Sequence, residues 1–275
     1  MLLNHKWYSA SLYSFITCIA FLNLSNVLGI DIPDRVQIAD TVVKLDEKAK
    51  NNINDKINRQ FGSKIVFKKI LYRAKLYIPI VEEVLKKHRI PSDLKYVMIL
   101  ESGCNPRADG GKEDIGFWQF RPLTAKYVGL IMNDKIDERM HIEQATLGLI
   151  KYINDNHQIT NNWFWAILGH NIGICGVNKY IKTNKINKKK HTISLKRCHP
   201  YMHQLIVNKL IFCEYLKRAR KPRLHLKLVN ENGHSVKSVC KKYKINHALF
   251  KYFNPWLKTK KIPNDTKCSV IIPLL

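Results

Sequence analysis

A glutamate sits on the apolar stripe of a helix-like segment. Leu94, Val97, Met98 and Glu101 recur at three- and four-residue spacing, which places side chains on one helix face. Burying an ionised carboxylate without a partner is expensive, and burial pushes a carboxyl toward its neutral form. A carboxylic acid that keeps its proton near neutral pH can hand it to a glycosidic oxygen, the general-acid step of sugar cleavage. Spacing alone favours the plainer reading, a glutamate that pairs with a core arginine or caps a neighbouring helix. The other acidic residues nearby, Asp109, Glu113 and Asp114, fall in a Gly- and charge-rich stretch.

The elements that must hold Glu101 are mostly helical in pattern. Residues 38–85 show apolar residues at helical spacing, with Pro79 before a further helical run. Pro91, Ser92 and Asp93 mark a helix start, and Gly103 with Asn105-Pro106 closes a short buried helix over 94–102. Residues 108–115 read as a loop leading into Gly116-Phe117-Trp118-Gln119-Phe120. Further helices are predicted near 123–128, 142–154, from Trp163 to about 173, and over 200–218. No strand-like alternation is read before residue 217. The basic linker Lys217-Arg218-Ala219-Arg220-Lys221-Pro222-Arg223 is followed by a different pattern, a strand at 226–229, helices at 235–243 and 247–253, and a strand at 269–272. This βααβ unit of about 50 residues is small but able to fold.

With 275 residues, 45% apolar and 25% charged, the chain has the make-up of a folded protein of one domain and a satellite. Lys and Arg outnumber Asp and Glu by 47 to 21, a formal charge of +26. Such a surface attracts polyanions, whether nucleic acid, anionic lipid or a polyanionic cell wall; a Lys-, Asn- and Ile-rich composition accounts for the charge equally well. Lys6, an apolar stretch over 12–24, and Val27 and Gly29 before Asp31 have the layout of an export signal cleaved after Gly29. An uncleaved anchor stays open, and the residues before Cys18 suit a lipoprotein site poorly. Past the leader, Cys104, Cys175, Cys198, Cys213, Cys240 and Cys268 could pair in fifteen ways. Buried free thiols are the plain expectation, and no spacing suggests a metal site.

Read together, the ordered segments resemble the lytic murein transglycosylase family in its D-like branch. They are Ile90-Pro91-Ser92-Asp93-Leu94 leading to Glu101-Ser102-Gly103-Cys104-Asn105-Pro106; Gly116-Phe117-Trp118-Gln119-Phe120 with Thr124-Ala125 and Val128-Gly129-Leu130; Asp137-Glu138-Arg139; residues 145–152; and Asn171-Ile172-Gly173. The likeness covers roughly residues 40 to 215. It implies a lysozyme-like helical domain, no cofactor, and peptidoglycan strands as substrate. Glu101 would protonate the oxygen between N-acetylmuramic acid and N-acetylglucosamine, then take the proton of the muramic C6 hydroxyl as a 1,6-anhydro ring closes. Substrate-assisted chemistry through the 2-acetamido group is a recognised departure from the two-carboxylate scheme.

Carried over residue by residue, the resemblance implies that Ser102 orients Glu101 or touches substrate, Gln119 bonds a substrate acetamide or peptide group, and Asn171 faces the same cleft. Phe117 is a cleft candidate, whereas Trp118 and Tyr152 read as packing and Asp137-Glu138-Arg139 as a structural ion pair. His170 stands where the family has Tyr, a donor ring without the phenol. Gly111-Lys112-Glu113-Asp114-Ile115 replaces a small-residue stretch, and Arg121 replaces an apolar residue. A disulfide between Cys104 and Cys175 is open but unsupported.

The C-terminal unit resembles a lysin-motif (LysM) module through Gly233-His234-Ser235-Val236, Val239, Tyr243, Ile245, Leu249, Asn254, Ile262-Pro263, Val270 and Ile272-Pro273. That likeness implies N-acetylglucosamine-containing glycans as ligand, with Gly233, His234, Ser235 and Asn254 at the groove. The organisation expected is therefore a signal peptide (1–29), an N-terminal helical segment (30–85), a catalytic domain (86–216), a basic linker (217–224) and a LysM-like module (225–275). The chain would be an exported monomer of the periplasm or cell envelope, associating with the envelope or peripherally with the membrane. A catalytically impaired peptidoglycan binder and a muramidase releasing reducing ends keep the same fold. A nucleic-acid binder, suggested by 185–190 and 217–223, lacks any zinc-finger or RNP-type motif.

Overall fold

The computed structural model describes residues 30–218 and 222–274. The segment expected to be an export signal, and part of the expected basic linker, lie outside these residues. Nine α-helices and five strands are present among them. A hairpin comes first, β1 (Arg35–Ile38) and β2 (Thr41–Lys44), which pair antiparallel; β3 (Thr192–Ser194) adds parallel to β2. This sheet overturns the expectation of a strand-free region beginning as a helix at Ile38. The alternation was present: Val36 and Ile38 in β1 and Thr41 and Val43 in β2 are buried, with exposed Gln37 and half-buried Val42 between them. The turn also has a task. Ala39 N–H donates to Asp93 Oδ2 (2.7 Å), and Asp40 accepts from the N–H groups of Trp163 and Phe164 (2.9 and 3.2 Å).

The helices are α1 (Glu47–Phe61), α2 (Lys64–Lys87), α3 (Leu94–Ser102), α4 (Pro122–Val128), α5 (Ile142–Thr160), α6 (Trp163–Thr183) and α7 (Pro200–Arg218). α2 runs unbroken through Pro79, so the division expected at residue 85 falls inside a helix. One hydrophobic core accordingly extends from Val36 to Phe212 across that division. The site helix α3 buries Leu94, Tyr96, Val97, Met98 and Ile99 and ends where Gly103 turns left-handed (φ 55°), a conformation open to Gly at little cost. Its first residues are not side-chain capped: Asp93 instead binds Ala39 and forms an ion pair with Lys209 of α7 (2.7 Å).

The C-terminal segment is β4 (His225–Val229), α8 (Val236–Lys242), α9 (His247–Phe253) and β5 (Val270–Leu274), with β4 and β5 antiparallel. Successive β5 side chains point to opposite faces. Val270 and Ile272 enter a small core with Val239, Phe250 and Trp256, while Ile271, with Phe253, enters the main one. Loop residues 135–137 and 256–258 exchange backbone bonds, Asp137 N–H to Trp256 O (2.8 Å) and Lys258 N–H to Lys135 O (2.9 Å). Arg107 donates to the carbonyls of Lys251 and Tyr252, and His141 to that of Ser269 (2.7 Å). The segment is thus docked on the helical body. All six cysteines among the described residues are free, and none of the described helices is long and apolar enough to cross a membrane.

Candidate functional site

Glu101 is the penultimate residue of α3, one helical turn beyond Val97 and Met98. Its side chain is 16% exposed, at a cavity of about 540 Å³ that Gly110, Asp114, Gln119, Arg121, His170 and Asn171 also line. Oε1 accepts a hydrogen bond of 2.6 Å from the Tyr201 hydroxyl. Oε2 has no hydrogen-bond partner among the described residues. One oxygen is therefore anchored and the other is free for a ligand.

Tyr201 was not singled out in the sequence. It lies at the start of α7, a hundred residues from Glu101, and no local motif connects the two. Burial foremost, then the adjacent Glu101 charge and their hydrogen bond, hold the Tyr201 hydroxyl well above the ordinary phenol range. It therefore remains a donor at any physiological pH. A phenol therefore does reach Glu101, from α7 rather than from position 170. His170 Nε2 lies 3.1 Å from Trp118 O and 3.9 Å from Glu101 Oε1, so the tautomer with its proton on Nε2 donates to the carbonyl. Its Nδ1 is buried without a partner.

The opposite wall is built from residues 108–120. Ser102 Oγ–H donates to Phe117 O (2.8 Å), tying this loop to the end of α3. Ser102 therefore acts on the loop and makes no hydrogen bond to Glu101. Gln119 has positive φ (52°), and its Nε2 donates to Gly116 O (2.9 Å) and Ala108 O (3.1 Å). Its Oε1 lies over Gly110, where an added Cβ would come within 2.4 Å. Gly116 (φ 84°) has equally little room, because a Cβ there would sit 2.0 Å from Arg139 O.

The Asp137-Glu138-Arg139 triplet is buried rather than exposed. Arg139 pairs with Asp137 (2.8 Å) and donates to Glu113 O (3.0 Å) and Phe120 O (3.3 Å). Glu138 Oε1 meanwhile accepts from the Cys268 thiol (3.3 Å). Arg139 thus fixes the cleft loop while its neighbours hold the C-terminal segment.

Phe117 corrects the expectation of a cleft aromatic. It is fully buried, edge-on to Tyr77 at 4.8 Å, and belongs to the core. Trp118 is likewise buried, with Nε1–H donating to Thr146 (3.2 Å). Tyr152 packs beneath the cavity and lines it. Asn171 is exposed at the cleft just before Gly173, whose φ of 68° and ψ of 161° break α6.

Among the residues expected at a second glycan site, Asn254 is also corrected. It is buried: Oδ1 accepts from Ile271 N–H (2.7 Å) and Trp256 Nε1–H (3.2 Å), while Nδ2 donates to Phe250 O (3.0 Å) and Ile271 O (2.8 Å). No hydrogen-bonding capacity is left for a ligand. Ser235 is exposed but caps α8 through Ser238 N–H. Gly233 N–H donates to Ile262 O (3.0 Å) and Val236 N–H to Lys260 O (2.9 Å), which sets residues 233–236 beside 260–262. His234 is exposed, 3.6 Å from Glu231.

The elements around the cavity, from the second half of α2 through β3, coincide with a known domain. Residues 79–193 match the Transglycosylase SLT domain. The chain is also 25% identical over 184 residues to the Membrane-bound lytic murein transglycosylase D of two Escherichia coli strains. The alignment covers 65% of this chain and 41% of either relative, so the chain spans well under half the length of the curated relatives it matches. Glu101, Gln119, Arg139, His170 and Asn171 fall within the matched domain, whereas Tyr201 and the whole C-terminal segment lie beyond it.

Proposed function

We propose that the protein is a peptidoglycan lytic transglycosylase that cleaves the β-1,4 bond between N-acetylmuramic acid and N-acetylglucosamine and leaves 1,6-anhydromuramyl ends. The observation that carries this reading is the Glu101 carboxyl, with Oε1 on the Tyr201 hydroxyl at 2.6 Å and Oε2 free at the cavity. The match of the surrounding residues to an SLT domain supports it. Protonated on Oε2, Glu101 gives its proton to the glycosidic oxygen as the bond to muramic C1 breaks. The 2-acetamido oxygen of the same sugar can cover the developing positive charge at C1. Glu101, now a carboxylate, takes the C6 hydroxyl proton, and O6 closes on C1. The Tyr201 hydroxyl steadies the carboxylate formed between the two transfers, and a charge-assisted bond is stronger than a neutral one.

Gln119 suits acetamide recognition, because its Nε2 is engaged with the loop while Oε1 remains to accept an N–H. Asn171 supplies an exposed amide at the same cleft. The exposed His234 loop of the LysM-like segment is proposed as a second, weak glycan contact. Action in the cell envelope is supported by the leader-like N-terminus and by the name of the relatives.

A muramidase with two carboxylates has one observation in its favour, since Asp114 lines the same cavity. That carboxylate is held by Arg121 at 3.0 Å. Digesting purified peptidoglycan and identifying the products by mass spectrometry distinguishes the readings. Anhydromuropeptides are expected from the wild type, with the rate reduced about 10²–10⁴-fold in Glu101→Gln, the usual worth of a general acid. Reducing-end products would identify a hydrolase, and equal rates in both proteins would remove Glu101 from the chemistry.

A further inference from the structure

Arg121 has no part in the chemistry above, yet it lines the cavity that holds Glu101. Its Nε donates to Asp114 Oδ1 at 3.0 Å, and the terminal amino groups make no hydrogen bond among the described residues. The partners are unequally exposed, 64% for the arginine side chain and 23% for the aspartate. Asp114 therefore acts as an anchor that orients the guanidinium, and the end of the pair turned to solvent is the cation. With Nε taken, the two amino groups still form a fork that fits a carboxylate bidentately. Glu101 and Asp114 are the acidic residues at this cavity. Neither offers an anionic ligand group a partner, and the exposed Arg121 guanidinium does.

Resting on the reading of this cleft as a peptidoglycan site, we propose that Arg121 is a specificity determinant that binds a carboxylate carried on the 3-O substituent of N-acetylmuramic acid. The muramic residue at the cleaved bond carries a lactyl group that N-acetylglucosamine lacks. Its carboxylate is free in denuded strands; in peptide-bearing strands it is amide-linked to a stem with carboxylates of its own. A cation in the cleft distinguishes either kind of strand from a neutral glycan of the same length. In this way Arg121 gives the cleft a preference for muramyl strands over chitin-like ones.

The test measures equilibrium binding in a Glu101→Gln background, where the probes persist, with and without Arg121→Gln. The probes are a muramyl tetrasaccharide with free lactyl carboxylates, the same sugar with stem peptides, and a neutral N-acetylglucosamine tetramer. At least one muramyl probe is expected to bind about tenfold tighter than the neutral tetramer, the scale of one charged hydrogen-bonded contact. That ratio should fall toward one in Arg121→Gln and shrink with added salt, while unchanged melting shows that the variant is folded. Whichever muramyl probe loses more identifies the carboxylate. Equal binding of all three probes, or a preference that survives Arg121→Gln, overturns the proposal and leaves the glycan reading standing. Binding of none overturns both.

Discussion

At the scale of single residues, the site divides the work of one carboxyl between its two oxygens. The Tyr201 hydroxyl occupies Oε1 and leaves Oε2 to the cavity. A flexible glutamate has several rotamers, and this anchor selects one; fixing a reacting group in place removes entropy from the barrier. Tyr201→Phe keeps the ring and its packing and removes only the donor. We expect kcat to fall at least about tenfold, since a hydrogen bond to a charged group is worth roughly 1.5–3 kcal/mol, while KM changes little. Steady-state kinetics on soluble muramyl oligomers measures this split. A tenfold change in KM with kcat retained would mean that Tyr201 contacts substrate instead of positioning the acid.

At the scale of elements, the caps and turns are shared between neighbours. His141 is the clearest case, being at once the N-cap of α5 and a tie to the C-terminal strand. Its Nδ1 accepts from Gln144 N–H (3.2 Å) and its Nε2–H donates to Ser269 O (2.7 Å). Acceptance at Nδ1 requires the neutral ring, whereas an imidazolium would keep the Nε2–H bond and lose the cap. Burial lowers its pKa from 6.5 to about 4, and the Ser269 carbonyl offsets part of that shift. The unfolded chain takes up a proton below about pH 6.5 and the folded one only near pH 4, so between these values protons favour unfolding. The stabilisation is complete above pH 6.5 and is lost progressively toward pH 4, to a total of about 3 kcal/mol at 1.36 kcal/mol per unit. Thermal melts across this window should show the decline, and His141→Gln, which titrates nowhere in it, should flatten the profile. A wild-type melting temperature constant from pH 7 to pH 4 would contradict this.

At the scale of the whole molecule, the C-terminal segment changes character. A tethered glycan binder would raise the local concentration of substrate and leave the catalytic body untouched. Here Phe253 and Ile271 are buried in the main core, each worth about 2 kcal/mol at the usual value for a buried apolar side chain. Residues 137–139 also link Trp256 and Cys268 to the cleft loop. Arg107, five residues after Ser102, clamps the end of α9 through two carbonyls. Arg107→Ala should cost about 1–3 kcal/mol, read as a lower melting temperature. It should also slow turnover of soluble substrates too short to reach a second glycan site. Normal turnover on short substrates with a defect confined to insoluble peptidoglycan would restore the tether.

Much of this arrangement is local, and the sequence determines it by itself. The α3 helix ends at Ser102 because Gly103 alone at that point takes a left-handed turn at little cost, and the stripe from Leu94 to Glu101 follows from helical period. Residues 116–120 and 171–173 carry a pattern dense enough to be identified from the sequence alone. The β1–β2 alternation was legible too, but helical periodicity beginning at Ile38 obscured four-residue strands. Other features depend on which surfaces meet. Phe117 and Asn254 are residue types that suit sugars, and only packing shows that one is core and the other is saturated with backbone bonds. Tyr201 reaches Glu101 across a hundred residues because α3 and α7 pack side by side, and a contact so distant along the chain leaves no mark in local spacing. Tertiary structure thus decided which oxygen of Glu101 is held, and by which residue.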